Sequence, residues 1–116
     1  MSKKSPTSLS MEYLNNMGFC CCVVEKWIPG ANVRKDAFEF GDILAYNPSK
    51  KIVALVQASS WNNFGAREKK ILESAHLRGW LKAGGQVYLL CWGPKGLRKR
   101  DFVLLARGEQ SEGEKS

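Results

Sequence analysis

Residues 40–60, FGDILAYNPSKKIVALVQASS, contain an unbroken apolar stretch, IVALV, between polar neighbours. A short apolar run rich in β-branched residues is typical of a strand buried on both faces, and we predict this strand at about Lys51–Ala58. The preceding Asn47-Pro48-Ser49-Lys50 is a strong turn signal. The segment before the turn, about Glu39–Tyr46, is therefore predicted to be a second strand of a hairpin. Asp42 lies near the start of that strand.

Helices are predicted before and after the strands, which gives the element order α-β-β-β-α-β. A short helix from Ser8 or Ser10 to about Met17 has one apolar face and is ended by Gly18. The other predicted elements are a largely buried strand at 19–28, a polar connection at 30–38, a long helix at about 64–83, a strand at 86–92 and a short strand at 102–106. This order indicates an α/β fold, a mixed sheet flanked by helices.

The chain is long enough for one domain. Its 116 residues allow a single modest core. We predict a flexible N-terminal tail at 1–7, one domain at 8–106 and a disordered C-terminal tail at 107–116, where the sequence is polar and rich in glycine and glutamate.

The charge balance indicates a polyanionic partner. The net charge is +7 at pH 7, which favours nucleic acid ahead of an anionic membrane surface, although a solvated surface is the plainer alternative. No apolar run approaches the length of about 20 residues that spans a bilayer, and the charged N-terminus does not resemble a signal peptide. These patterns predict a cytoplasmic protein without a membrane partner.

The cysteines do not form a metal-binding pattern. Cys20, Cys21 and Cys22 are adjacent, Cys91 stands apart, and no C-x-x-C pair is present. Adjacent residues of a strand point to opposite faces, so the three cannot converge on one tetrahedral metal ion. Buried, reduced strand cysteines are predicted instead.

Polar groups at the ends of the hairpin strands are the candidate site. Asp42 sits beside buried strand residues, where a carboxylate loses hydration unless a hydrogen bond or a divalent cation compensates. Gln57 and the main-chain carbonyl of Ala58 offer neutral oxygen ligands, and Ser59 shares a face with Gln57. The alternative is an ordinary hairpin, in which Asp42 caps a strand and the polar residues bind the next loop.

Several segments in fixed order carry a resemblance to a known family. They are Val24-Glu25-Lys26-Trp27, Arg34-Lys35-Asp36-Ala37-Phe38, Phe40-Gly41-Asp42-Ile43-Leu44, Val56-Gln57-Ala58-Ser59-Ser60 and Trp80 with Gly84-Gly85 and Cys91-Trp92-Gly93. This set resembles the PD-(D/E)XK nuclease superfamily, whose restriction-endonuclease-like core has the order α-β-β-β-α-β. Over residues 8–106 the chain is most similar to small Holliday-junction-resolvase-like and phage-type nucleases.

The resemblance implies roles for individual residues. Asp42 matches the motif aspartate, the principal metal ligand, and Gln57 matches the acidic position, which is glutamine in some members. Ser59 falls where the superfamily has its lysine. Some members move that basic group to the following helix, where Lys70 or Arg67 would serve. Asp36 and Glu25 are the candidates for a second acid.

The same resemblance implies a function. It predicts a Mg²⁺-dependent endonuclease, with Mn²⁺ as a substitute, that cuts branched DNA as a homodimer and holds its metal through Asp42, Gln57 and Ala58. The alternatives are a DNA-binding module that has lost the chemistry, and a nuclease directed at RNA. The candidate phosphate contacts are Arg34, Lys35, Arg67, Lys69, Lys70, Arg98, Lys99 and Arg100.

Overall fold

Five strands form one mixed sheet, and two short strands form a separate hairpin. The computed structural model describes residues 4–24, 26–30 and 33–103. The elements in chain order are α1 (Pro6–Asn16), β1 (Cys20–Val23), β2 (Lys26–Ile28), β3 (Val33–Lys35), β4 (Ile43–Asn47), β5 (Ile52–Ser60), a 3-10 turn (Trp61–Asn63), α2 (Phe64–Glu73), α3 (Leu77–Lys82), β6 (Gln86–Gly93) and β7 (Gly96–Phe102). The predicted α/β fold with a mixed sheet and flanking helices is confirmed.

The order of strands across the sheet is β1-β4-β5-β6-β7, so β5 is the central strand. β4 pairs antiparallel with both β1 and β5, and β7 pairs antiparallel with β6. β5 and β6 are parallel, because α2 and α3 carry the chain back across the sheet between them. The carboxyl end of β5 therefore lies beside the amino end of α2.

Each face of the sheet has its own core. On the side of α2 and α3 the buried cluster consists of Phe40, Leu55, Phe64, Ile71, Val87, Leu89, Cys91 and Phe102. On the side of α1 it consists of Leu14, Phe19, Ile43, Ala45, Ala54, Val56 and Leu90. The central strand contributes to both clusters, since its alternate side chains point to opposite faces.

The first helix begins earlier than predicted. The side chain of Ser5 accepts the N–H of Ser8 at 3.1 Å, and Pro6 occupies the first turn, where its missing N–H costs little. Ser5–Thr7 therefore belong to the folded domain, although the sequence assigned them to the N-terminal tail.

The segment 19–28 is not one buried strand. It divides into β1, an edge strand of the main sheet, and β2, which pairs with β3 inside the predicted polar connection. The prediction of buried cysteines is accordingly wrong for Cys20 and Cys22, which are exposed, while Cys91 is buried. Composition alone did not distinguish a central from an edge position.

The long predicted helix is broken. Ser74 ends α2 in an extended conformation and donates its hydroxyl hydrogen to the main-chain oxygen of Phe38 at 3.1 Å. The basic run after Gly96 is also part of β7, so the final strand begins before the predicted 102–106 segment, of which residues 104–106 lie outside the described residues. Within the part of the chain that the structure describes, every helix is too short or too polar to span a bilayer.

Candidate functional site

A polar pocket of about 420 Å³ opens at the carboxyl end of β5. The amino end of α1, the segment entering β4 and one side of α2 enclose it. Its lining residues are Ser5, Pro6, Thr7, Asp36, Asp42, Gln57, Ala58, Ser59, Arg67 and Lys70. Seven of these were predicted from the sequence, namely Asp36, Asp42, Gln57, Ala58, Ser59, Arg67 and Lys70.

Asp42 is held at the bottom of this pocket by the hairpin itself. It is only 5% exposed, and its N–H donates to the main-chain oxygen of Val56 at 2.8 Å. Its Oδ2 atom accepts the Gln57 side-chain amide at 2.6 Å and the N–H of Ala58 at 3.0 Å. The carboxylate is thus positioned by the next strand, and the predicted role of the Ala58 carbonyl as a ligand stays a prediction.

Gln57 leaves one strongly polar atom unsatisfied. A carboxylate accepts hydrogen bonds, so the bond to Asp42 orients the amide with Nε2 toward Asp42 and Oε1 away from it. Gln57 is 3% exposed, and its Oε1 atom has no hydrogen-bond partner among the described residues. A buried carbonyl oxygen without a partner costs about 1–3 kcal/mol, so the pocket favours a cation or a hydrogen-bond donor at this point.

Asp36 brings a second carboxylate to the pocket. Its Oδ2 atom lies 2.6 Å from the Lys70 ammonium, and the side chains are 9% and 37% exposed respectively. The placement depends on a tight turn closed by a bridge between Ala37 and Gly41. Glycine fits at position 41 without a shift, whereas a Cβ atom would lie 2.7 Å from a methyl carbon of Leu55 and 3.3 Å from the main-chain oxygen of Ala37.

Ser59 stands where the resemblance implies a lysine, and the Arg67 side chain of α2 reaches it. The Ser59 hydroxyl oxygen accepts Nδ2 of Asn63 at 3.2 Å and Nε of Arg67 at 3.4 Å. With both acceptor positions engaged, the hydroxyl hydrogen of Ser59 remains to be donated. Arg67, rather than Lys70, is the basic group beside Ser59.

The two sides of the pocket differ in chemistry. Asp36, Asp42 and the Gln57 oxygen supply acceptors, while Arg67 and Lys70 supply charged donors. Among the described residues, no group of three or more His, Cys, Asp and Glu side chains lies close enough together to hold a metal ion. The acceptor side of the pocket thus consists of the carboxylates of Asp36 and Asp42 and the amide oxygen of Gln57, rather than of three carboxylates.

The remaining predicted contacts are distributed over the surface. Arg98 lies over the Phe64 ring, 4.1 Å from its centroid, and Arg100 forms an ion pair with Glu68 at 2.6 Å, so both lie on the α2 side of the sheet. Lys99 lies on the opposite side, where its hydrogen bond with the Tyr13 hydroxyl at 3.1 Å raises the pKa of the ammonium.

Four further predicted residues lie at the limits of the structure or away from this pocket. Lys69 lines a separate shallow depression with Glu73. Glu25 lies outside the described residues, and so do the side chains of Arg34 and Lys35, whose backbone belongs to β3.

Ser5, Pro6 and Thr7 line the pocket but were not predicted as site residues. The Ser-Pro pair is a usual sequence for the start of a helix and could have shown that α1 begins there. It could not have shown that the helix end faces the pocket, because that depends on how α1 packs on the sheet.

Comparisons of the chain with protein-family models, with curated proteins and with solved structures give no match.

Proposed function

We propose that the chain is a metal-dependent endonuclease that hydrolyses DNA, and that the pocket at the end of β5 is its active site. The observation that carries this proposal is the unpartnered Gln57 oxygen, buried beside the Asp42 carboxylate. A buried amide oxygen of this kind beside a carboxylate suits a hard cation.

The donor set fits Mg²⁺. This ion prefers oxygen ligands and usually takes one or two carboxylates from protein, with waters and substrate phosphates completing its coordination. Asp42 and Gln57 would hold it, with the Ala58 carbonyl as a further ligand and Asp36 or Glu25 assisting. Mn²⁺ prefers similar oxygen ligands and would substitute. When bound, the ion would polarise the phosphate and lower the pKa of the attacking water.

The basic side chains of α2 would stabilise the negative charge of the phosphate. Hydrolysis of a phosphodiester adds negative charge to the phosphate oxygens in the transition state, and a nearby guanidinium or ammonium stabilises that charge. Arg67 beside Ser59 and Lys70 beside Asp36 supply both groups. Arg67 would have the role of the lysine that the superfamily carries at the position of Ser59.

The arrangement of the main sheet supports a restriction-endonuclease-like core. With the β2–β3 hairpin and α3 set aside as insertions, α1, β1, β4, β5, α2 and β6 follow one another in the order α-β-β-β-α-β. Asp42 precedes the second strand of this core and Gln57 lies on the third, which are the positions that the resemblance implies. Membership of the PD-(D/E)XK superfamily is part of the proposal.

The proposed substrate is branched DNA, such as a Holliday junction, bound by a homodimer that presents two sites. The net charge of +7 favours a polyanion, and Arg98 lies on the same face of the sheet as α2. Phosphate contacts of this kind orient a nucleic acid without selecting its sequence.

A second candidate function is DNA binding without cleavage. Two observations favour it, because Gln57 is neutral where the superfamily has an acid, and because the Lys70 ammonium is already bound to Asp36. A protein with this function would bind a four-way junction but leave it uncut in Mg²⁺ and in Mn²⁺.

The test is cleavage of a four-way junction and of a linear duplex by the wild-type chain, by Asp42→Asn and by Asp101→Asn. The asparagine side chain in Asp42→Asn can accept both hydrogen bonds through one carbonyl oxygen, since both now reach Oδ2 of Asp42. We expect Asp42→Asn to abolish Mg²⁺-dependent cleavage while DNA binding stays equal or becomes tighter, and Asp101→Asn, an exposed control with the same charge change, to cleave normally. Unchanged cleavage by Asp42→Asn would contradict the active-site assignment.

A further inference from the structure

The amino end of α1, which lines the pocket, has one main-chain N–H without a partner in the described part of the chain. Pro6 has no N–H, the Ser8 N–H is bonded to Ser5 at 3.1 Å, and the Leu9 N–H is bonded to the Ser5 carbonyl at 2.9 Å. Among the described residues, this leaves the N–H of Thr7 as the one unpaired donor of the first turn. Thr7 lines the pocket, so its hydroxyl adds a second donor.

This helix end carries positive potential into the pocket. The aligned peptide dipoles of a helix place about half a positive charge at its amino end. α1 is 11 residues long and has no acidic residue in its first turn to neutralise that charge. Arg67 and Lys70 of α2 line the same pocket. The amino end of α1 and these two side chains therefore form one side of the pocket that is rich in hydrogen-bond donors, the donor side.

A second observation points to a ligand in this pocket. Gln57 is 3% exposed, lines the pocket, and has an Oε1 atom without a partner among the described residues. Phosphate offers only acceptors and cannot satisfy this oxygen, whereas a cation can. A ligand that binds both sides of the pocket therefore combines a cation, for the acceptor side, with a phosphate group, for the donors. A nucleic-acid strand bound through a divalent ion is such a ligand.

We infer that Thr7, at the amino end of α1, forms with Arg67 a phosphate subsite that holds a backbone phosphate of the bound DNA strand. The inference rests on the proposed function and names the part of the pocket that positions the strand. The Thr7 N–H and hydroxyl donate to the phosphate oxygens, and the Arg67 guanidinium supplies the opposite charge. Thr7 is thus a positioning residue, separate from the ligands on the acceptor side.

The test compares Thr7→Asp with Ser8→Asp. Both variants remove one unit of net charge, and an aspartate in the first turn stabilises a helix, so both are expected to fold. Ser8 is exposed and does not line the pocket, whereas Thr7 does. Binding of a fluorescein-labelled four-way junction is measured by fluorescence polarisation at several salt concentrations, once in EDTA, where no cleavage interferes, and once in Ca²⁺, which supplies a divalent ion.

We expect Thr7→Asp to weaken DNA binding by about tenfold or more, because a carboxylate would face the phosphate, and Ser8→Asp to change it by no more than about twofold. Loss of one phosphate contact should also reduce the slope of log affinity against log salt by about 0.9 in Thr7→Asp alone. Equal binding by the two variants would overturn the subsite.

Failure of the subsite can be distinguished from failure of the proposed function. If Asp42→Asn is inactive and the two first-turn variants bind DNA equally, the subsite is wrong and the active site stands. If Asp42→Asn cleaves like wild type but Thr7→Asp alone loses DNA binding, the subsite stands and the nuclease assignment is wrong. Ca²⁺ affinity, measured by calorimetry, should be equal or higher in Thr7→Asp, since its carboxylate joins those of the pocket.

Discussion

The side-chain amide of Gln57 donates a hydrogen bond to the Asp42 carboxylate at 2.6 Å, and this one contact determines which end of the amide is left for a ligand. If Gln57 were glutamate, the pocket would hold two adjacent carboxylates with no donor between them. Such a pair is unfavourable without a cation and favourable with one.

Gln57→Glu should therefore make stability depend on the metal. In EDTA we expect the free energy of unfolding to fall by about 1–3 kcal/mol, since a buried hydrogen bond is replaced by charge repulsion. Mg²⁺ should restore most of the loss. Gln57→Met, which has neither oxygen nor charge there, is the control and should show no restoration. The measurement is thermal unfolding with and without Mg²⁺, and equal behaviour of the two variants would contradict a cation site at Gln57.

The ion pair of Lys70 with Asp36 is expected to stabilise the fold as well as the site. Lys70→Met leaves the 9%-exposed Asp36 side chain without its counter-charge. Because Lys70 is itself partly exposed, we expect a loss of about 1–2 kcal/mol in denaturant unfolding. Lys69→Met is the matched control, since Lys69 is exposed and adjacent, and it should change stability by less than half of that amount. A similar loss in both variants would show that Asp36 does not depend on Lys70.

The turn before Asp42 contains two non-glycine residues with left-handed backbone conformations, Phe38 at φ 52° and Glu39 at φ 77°. Glycine adopts such a conformation without a steric penalty, so Glu39→Gly should be more stable than Glu39→Ala by about 1 kcal/mol. Both variants lose the same contact of the Glu39 carboxylate with Ser74. Thermal unfolding measures the difference, and an alanine variant as stable as the glycine variant would argue against strain in this turn.

The four thiols should differ in reactivity according to exposure and pKa. Cys20 and Cys22 are exposed, Cys21 is half-buried and Cys91 is buried. Burial raises the pKa of the Cys91 thiol and that of the Cys21 thiol. Because the thiolate is the reactive form, iodoacetamide at pH 8 should label Cys20 and Cys22 first and Cys91 only after denaturation. Mass spectrometry identifies the labelled positions, with Cys91→Ala as the control for the slowest one. Rapid labelling of Cys91 in the native protein would contradict its buried position.

Raised pKa values also predict a loss of stability in alkali. Burial raises the pKa of Cys91 above its ordinary value of 9.0 and that of Tyr88 above 10.0, so the folded protein holds these protons to higher pH than the unfolded chain. The stabilisation is complete below the unfolded values and is lost as the pH rises through the folded ones. Denaturant unfolding between pH 8 and pH 11 should show this decline, with a smaller slope in Tyr88→Phe. An identical slope in that variant would exclude a contribution from Tyr88.

The hairpin at the centre of the site was predictable from the sequence. The apolar run at 52–56 and the turn signal at 47–50 determine which strands pair, and the register Ile43↔Val56 then brings Asp42 beside Gln57. These are short-range signals, in which neighbouring residues decide the local structure.

The rest of the site depends on contacts that a sequence pattern does not contain. Asp36 reaches Lys70 because of a turn with two left-handed residues, neither of them glycine, and no pattern predicts that conformation. Arg67 reaches Ser59 because the 3-10 turn at Trp61–Asn63 sets the start of α2. The split of segment 19–28 and the position of Thr7 likewise depend on tertiary packing, which overrides local propensity.

The two sides of the pocket differ in the length of the chain segment that separates their contacting residues. Asp42 and Gln57 are 15 residues apart within one hairpin, whereas Asp36 and Lys70 are 34 residues apart and α2 belongs to the parallel crossover. Closing a short antiparallel hairpin is fast, and parallel pairing through a crossover is slower because a longer loop must be ordered first. During folding, the contact between Asp42 and Gln57 should therefore form before Lys70 reaches Asp36, so a chain emerging from synthesis completes the acceptor side of its pocket before the side with the charged donors.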